Sequence, residues 1–141
     1  MKKVFLFLSL LLSLGMLCAC SNDGVSSSLY NTWILESYGN GLNDVPKESK
    51  GYIYLLTFYP NGTYSGLAYG NEVGGEYTCK GKMIEIHPGY MTQVAFEGAD
   101  PDKFFLEHLP DVYYFTITDT ELKLFYSKDQ YFKFKINNSR L

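Results

Sequence analysis

The chain has 141 residues, 12 of them basic and 15 acidic, for a formal net charge of −3. Lys2 and Lys3 lie in a leader expected to be removed, which leaves 10 basic against 15 acidic residues, a formal −5, and disfavours nucleic acid or anionic lipid headgroups as partners. About 120 mature residues make one domain, large enough to bury roughly two thirds of the unfolded chain's surface without disulfides or metals. The 13 tyrosines and 10 phenylalanines point to strands, where large flat side chains pack across a pleated surface.

Residues 1–19 read as a lipoprotein signal peptide: Lys2-Lys3, then the apolar run Val4 to Leu17, then Leu17-Cys18-Ala19-Cys20. The apolar core is short for a bilayer crossing, and the segment after it is a polar tether without stop-transfer charge. The last four residues resemble the lipobox of bacterial lipoproteins, with small Ala19 just before the acceptor Cys20. Cys18 is a poorer acceptor, because Leu17 would then stand where cleavage wants a small side chain. The alternative is an ordinary secreted protein cleaved nearby, in which Cys20 stays a thiol. Acylation at Cys20 would place the domain on a membrane through its N-terminal lipid, since two or more chains anchor stably where one does not. The lipoprotein resemblance implies a cell-envelope address and, from Asp23 close behind the acceptor, the outer membrane; residues 20–28 form the lipidated flexible tether.

The domain proper is expected over 29–137. YNTWILESY reads as a first strand with Trp33 and Leu35 on one face, and Gly39 to Gly51 as a solvated loop and candidate mobile lip. Tyr52 to Tyr59 is apolar on both faces, Asn61-Gly62 tolerates positive φ, and Thr63 to Tyr69 returns, which makes a hairpin. Gly70-Asn71 and Gly74-Gly75 read as further turns, Glu76 to Lys80 as the next strand, Met83 to His87 as its partner and Thr92 to Phe96 as another. Asp100-Pro101 starts a helix to about Leu109, with Phe104, Phe105 and Leu109 as its apolar stripe and Pro110 as its stop. Val112 to Thr118, Leu122 to Tyr126 and Tyr131 to Ile136 close the domain, the last with Phe132, Phe134 and Ile136 inward against Tyr131, Lys133 and Lys135. The fold class is therefore all-β with one short helix: an antiparallel, closed or nearly closed barrel of about 8–9 strands, since a flat sheet would leave edges open to aggregation.

The order of features resembles the META domain of heat-inducible bacterial lipoproteins. The matching stretches are Trp33 with Leu35, LTF at 56–58, Gly66, GN at 70–71, GGEY at 74–77, Thr92, FLEHLPDVYYF at 105–115, and LKL at 122–124 with Phe134. Where that family often carries cysteines, this chain has Tyr69-Gly70-Asn71 and Phe96, so any pairing of those cysteines is lost. The opening strand and LTFYPNGTY also look like lipocalin-like bacterial lipoproteins, whose barrels hold apolar ligands. The META resemblance implies an envelope or stress-associated role and carries over no catalytic residue.

Residue chemistry points the same way: no enzyme, no cofactor, and as partners the membrane and either an envelope protein or a small apolar ligand. His87 and His108 have no second ligand at metal spacing, although Glu85 and His87 share a strand face. Asp100 and Asp102 look like half a calcium loop, but helix capping accounts for them. Cys79, with no His or Lys beside it, reads as a small buried hydrophobe rather than a nucleophile. Gly70-Asn71 with Gly74-Gly75 lacks the following helix that a phosphate loop needs. The Asn61 and Asn137 glycosylation triplets are accidental in a bacterial lipoprotein. Phe58, Tyr113, Phe115, Phe132 and Phe134, with Phe104 and Phe105, supply bulk for a packed interior; a lipocalin-like cup would instead be hollow, with its mouth near the Gly39 to Gly51 loop.

Overall fold

Period-two alternation along each strand becomes, once the strands pair, an inside and an outside. The computed structural model describes residues 27–46, 53–68, 70–92 and 103–138. Within them the strands are β1 Thr32–Gly39, β2 Asp44–Pro46, β3 Tyr54–Phe58, β4 Thr63–Ala68, β5 Asn71–Lys80, β6 Met83–Met91, β7 Tyr114–Ile117, β8 Glu121–Phe125 and β9 Tyr131–Ile136, with helix α1 at Lys103–His108 before β7. Every pairing is antiparallel and runs between neighbours from β3 to β9, and β1 joins β3 on one edge and β9 on the other. Eight strands therefore close an antiparallel barrel, and β2 is a short addition beside the far half of β1, at Ser37, Tyr38 and Gly39. The leader, the tether before Ser27 and acceptor Cys20 lie outside the described residues.

The inward face is built of large apolar groups. Trp33, Leu56, Phe58, Phe105, Phe115, Phe132 and Phe134 are all buried to within 2% of complete. Each such side chain contributes about 1.5–3 kcal/mol by leaving water, so the barrel axis is a packed core and not a channel. One end is shut by a 3-10 turn, Ser27–Leu29, whose buried Leu29 carbonyl accepts the Trp33 indole N–H at 3.1 Å. The β3–β4 turn closes beside it. Gly62 takes φ +82°, as expected of that Asn-Gly pair, and Asn61 Oδ1 in addition accepts the Thr63 amide at 3.0 Å.

The opposite end is covered by α1 and the 3-10 turn Leu109–Asp111 that follows it. Phe105 drops into the barrel with its ring 5.7 Å from Tyr54, 5.0 Å from Phe132 and 6.3 Å from Phe134. Phe104 does not share that face. Successive helix residues are about 100° apart, so Phe104 points along the rim, 44% exposed, beside Tyr38, His108 and Tyr126. Tyr113, expected inside, is also exposed at 41%, because it precedes β7 and Phe115 takes the inward position.

Two bulges correct the strand reading. On β1, Glu36 is passed over between Leu35↔Phe134 and Ser37↔Lys133, so the residues facing inward change from odd to even and Tyr38 faces Phe132. On β6, Gly89 is the extra residue between Gly74↔Tyr90 and Gly75↔Pro88. Gly74-Gly75 is thus no turn but the middle of β5, a ten-residue strand. A Cβ on Gly75 would collide with the His87 carbonyl and the Gly89 amide, and one on Gly74 with the Tyr90 ring. These glycines allow close approach, whereas Gly70, at φ +92°, supplies the turn. The Met83 to His87 strand consequently runs on to Met91, Thr92 follows its end, and the rest of the strand expected to Phe96 falls outside the described residues, as does the Asp100-Pro101 cap.

Candidate functional site

β6 and β7 meet at a single register pair, Met83↔Tyr114, held by Ile84 N–H to Tyr113 O at 3.1 Å and Phe115 N–H to Lys82 O at 3.0 Å. Beyond it β6 continues to Met91 paired with β5 but, among the described residues, with no strand on its other edge. Among the described residues the barrel wall is therefore incomplete at the helix end, and α1 with its 3-10 turn covers the gap only in part. What remains is a recess of about 290 Å³ lined by Tyr64, Val73, Pro88, Gly89, Tyr90, Met91, Leu106 and Leu109. Its floor is the edge of the core, where Tyr64, Val73 and Leu109 are each at least 97% buried. Burial pushes the Tyr64 phenol up to about 12, so it stays neutral.

A second concavity lies across the bulge on the outer face. It is a shallow cleft of about 640 Å³ between Tyr59 and Tyr90, with Thr63, Ser65, Gly75, Glu76 and His87 among its lining. Tyr59 and Ser65 share a hydroxyl hydrogen bond of 3.0 Å.

A polar cluster ties β2 to the barrel. The Tyr131 hydroxyl donates to Asp44 Oδ1 at 2.7 Å and Lys133 Nζ to Asp44 Oδ2 at 2.9 Å. Gly39 lies between them in the sheet, and a Cβ there would strike the Tyr131 ring, so glycine lets that ring lie flat over β1 and reach Asp44. Those two bonds hold the Asp44 carboxyl below its ordinary range. Tyr131, expected on the wet face, is 9% exposed for this reason, with Lys123 Nζ 4.7 Å from its ring centroid. The Gly39 to Gly51 segment thus contains a strand, and its beginning is fastened to the barrel; residues 47–52 lie outside the described residues.

The residues weighed for chemistry do not converge. His87 Nε2 is 3.7 Å from Glu85 on the outer face, while His108 Nδ1 is 3.2 Å from Asp111 at the helix end, stacked on Tyr126. Among the described residues no group of three His, Cys, Asp or Glu side chains could hold a metal. Cys79 is half-buried against the core rather than fully buried, and desolvation pushes its thiol up to about 11, the protonated and unreactive form at neutral pH. Asp100 and Asp102 lie outside the described residues. Tyr90, Met91 and Leu106 were not singled out by sequence. The available signal was Pro88-Gly89 facing Gly74-Gly75, three glycines and a proline without an N–H to donate at one place in a hairpin.

No family model matches the chain, and no curated protein matches it. Three solved structures share its fold. A DUF4847 family protein from Bacteroides vulgatus aligns over 81% of this chain and 97% of its own, with a TM-score of 0.64 at 17% identity. A protein from Burkholderia xenovorans, solved by NMR, aligns over 77% and 83% with a TM-score of 0.57 at 18% identity. A third, also an NMR structure, has a TM-score of 0.54. At such identities the likeness is one of architecture, a small closed barrel with a short helix.

Proposed function

We propose that the protein is a lipid-anchored module of the bacterial cell envelope whose barrel binds rather than catalyses, taking a small apolar group into the recess at its helix end. The observation that carries the binding half is the recess itself: apolar side chains from β4, β5, β6 and the helix converge on a gap in the wall of a barrel otherwise filled. Its size, about ten times the roughly 30 Å³ share of one water, suits an aromatic ring or a short acyl chain, not a ligand lying along the axis. The raised Cys79 thiol and the separated histidines favour binding over nucleophilic or metal chemistry.

The anchor rests on Leu17-Cys18-Ala19-Cys20 behind an apolar leader, and the META resemblance agrees with it in implying an envelope role without catalytic residues. Metabolic labelling with a palmitate analogue should mark the wild type and leave Cys20→Ala unmarked. Equal labelling of the two would refute the anchor.

For the recess, a fluorescent naphthalene probe should bind the wild type with enhanced emission. Met91→Trp, which puts an indole into the recess from a residue 45% exposed, should weaken that binding about tenfold or more. Unchanged probe affinity in the tryptophan variant would place the ligand elsewhere.

A further inference from the structure

We propose that the outer cleft beside the β5–β6 bulge is a binding site for a neutral saccharide, with Tyr90 as its stacking platform. The cleft shares Tyr64, Pro88, Gly89 and Tyr90 with the recess but opens on the outer face of the sheet, and the proposal does not require the recess to hold a ligand.

The barrel carries two tyrosines built the same way, each directly opposite a strand glycine whose missing Cβ lets the ring lie flat on the neighbouring backbone. At Tyr131↔Gly39 the arrangement is used up: the hydroxyl is held by Asp44, Lys123 stands 4.7 Å from the ring centroid, and the residue is 9% exposed. At Tyr90↔Gly74 the ring is seated alike, since a Gly74 Cβ would come within 2.5–2.6 Å of its Cε1, Cζ and hydroxyl, yet the residue is 56% exposed. A ring fixed on one side and open on the other loses little entropy when a flat partner covers it. The apolar C–H face of a sugar is such a partner, drawn to an aromatic face that is electron-rich at its centre.

The rest of the lining selects the ligand. Across the cleft stands Tyr59, 41% exposed and steadied by its bond to Ser65, and the Thr63 and Ser65 hydroxyls and the Glu76 carboxylate supply hydrogen-bonding groups at hydroxyl height. Among the described residues neither lysine nor arginine lines it, Glu76 is its only carboxylate, and His87 is the one other group that could carry charge. Charge complementarity therefore excludes phosphate, sulfate and uronate ligands and leaves a neutral polyhydroxylated one, for which a carboxylate is the strong acceptor. At about 640 Å³ and open to solvent, the cleft has room for more than one ring.

The test uses the full chain in a sugar-free detergent, titrated calorimetrically with maltotetraose, cellotetraose and chitotetraose, and with tetragalacturonate as the anionic comparator. At least one neutral tetrasaccharide should bind, more tightly than tetragalacturonate. Tyr90→Ala should weaken it about tenfold or more, while Tyr90→Phe, which keeps the ring, stays within about threefold of wild type. Glu76→Gln should weaken it about fivefold, and as an exposed isosteric change it tests the site even if Tyr90→Ala fails to fold. Failure of all three neutral probes, tetragalacturonate binding as tightly as they do, or wild-type affinity in folded Tyr90→Ala would each overturn the proposal.

Discussion

Truncating Phe132 to alanine is expected to cost about 3–5 kcal/mol of unfolding free energy, a large share of the roughly 5–15 kcal/mol that holds a domain of this size together. The phenyl group is fully buried and sits where β9, β1 and the helix meet. Its ring is 4.6 Å from that of Tyr126, 5.0 Å from Phe105, 5.7 Å from Tyr38 and 6.3 Å from Phe104. Such aromatic pairs, three of them edge-on and the Tyr126 one tilted, are each worth about 0.5–1.5 kcal/mol beyond the area they bury. Three of the four partners are fixed to the wall or driven into the core, so little can collapse into the space left behind and the cavity contribution stays near its maximum. Trp33, the single tryptophan and fully buried at the far end, reports global unfolding. Its emission during urea titration should show a lower midpoint at unchanged slope. A loss under about 1 kcal/mol would mean that the phenyl group faced a void or solvent.

The same residue shows why the barrel was legible in sequence. Phe132 and Phe134 alternate with lysines in β9, and alternation of that kind fixes which face is inside. Short strands with turn residues between them then imply closure, because exposed edges would pair with other chains. What stayed hidden are facts that depend on partners far away in sequence. Tyr131 reads as a wet-face residue until Asp44, 87 positions earlier, is folded against it. Gly74 and Gly75 read as a turn because a glycine needed for positive φ and one needed for close approach look the same in sequence; only the register with Pro88 and Tyr90 separates them. Phe104 and Phe105, placed together on one stripe, divide because a six-residue helix lying on a barrel rim has one narrow buried face. The recess was hidden for a related reason. It arises where β6 outruns β7, and strand ends are what a pattern of apolar positions defines least well.

Gly75→Ala is expected to be, with Gly66→Ala, among the most damaging one-carbon changes in the described chain, with a cost of about 3 kcal/mol, the upper part of the usual range for overpacking. At Gly39 or Gly74 an added methyl group meets a tyrosine side chain, which is displaced from its seat over the glycine more readily than main chain is, whereas at Gly66 it meets the Leu55 carbonyl of β3. At Gly75 it meets the His87 carbonyl and lies 2.7 Å from the Gly89 amide nitrogen, both main-chain groups of the facing strand, so it fits only if the β5–β6 ladder opens at the bulge. That bulge carries Pro88, Gly89 and Tyr90, which line the recess on one side and the outer cleft on the other. One substitution should therefore lower the urea midpoint and, in the protein that still folds, weaken both the naphthalene probe and the tetrasaccharide. Gly81→Asn is the matching control: Gly81 sits at φ +62° with no atom within 4 Å of an added Cβ, and asparagine tolerates that conformation, so stability should change by no more than about 0.5 kcal/mol and both ligands should bind as in wild type. If Gly75→Ala unfolds at the wild-type midpoint, the two strands are not in contact at the bulge as described. If it is destabilised but binds both probes normally, the bulge is a packing device and neither concavity depends on it.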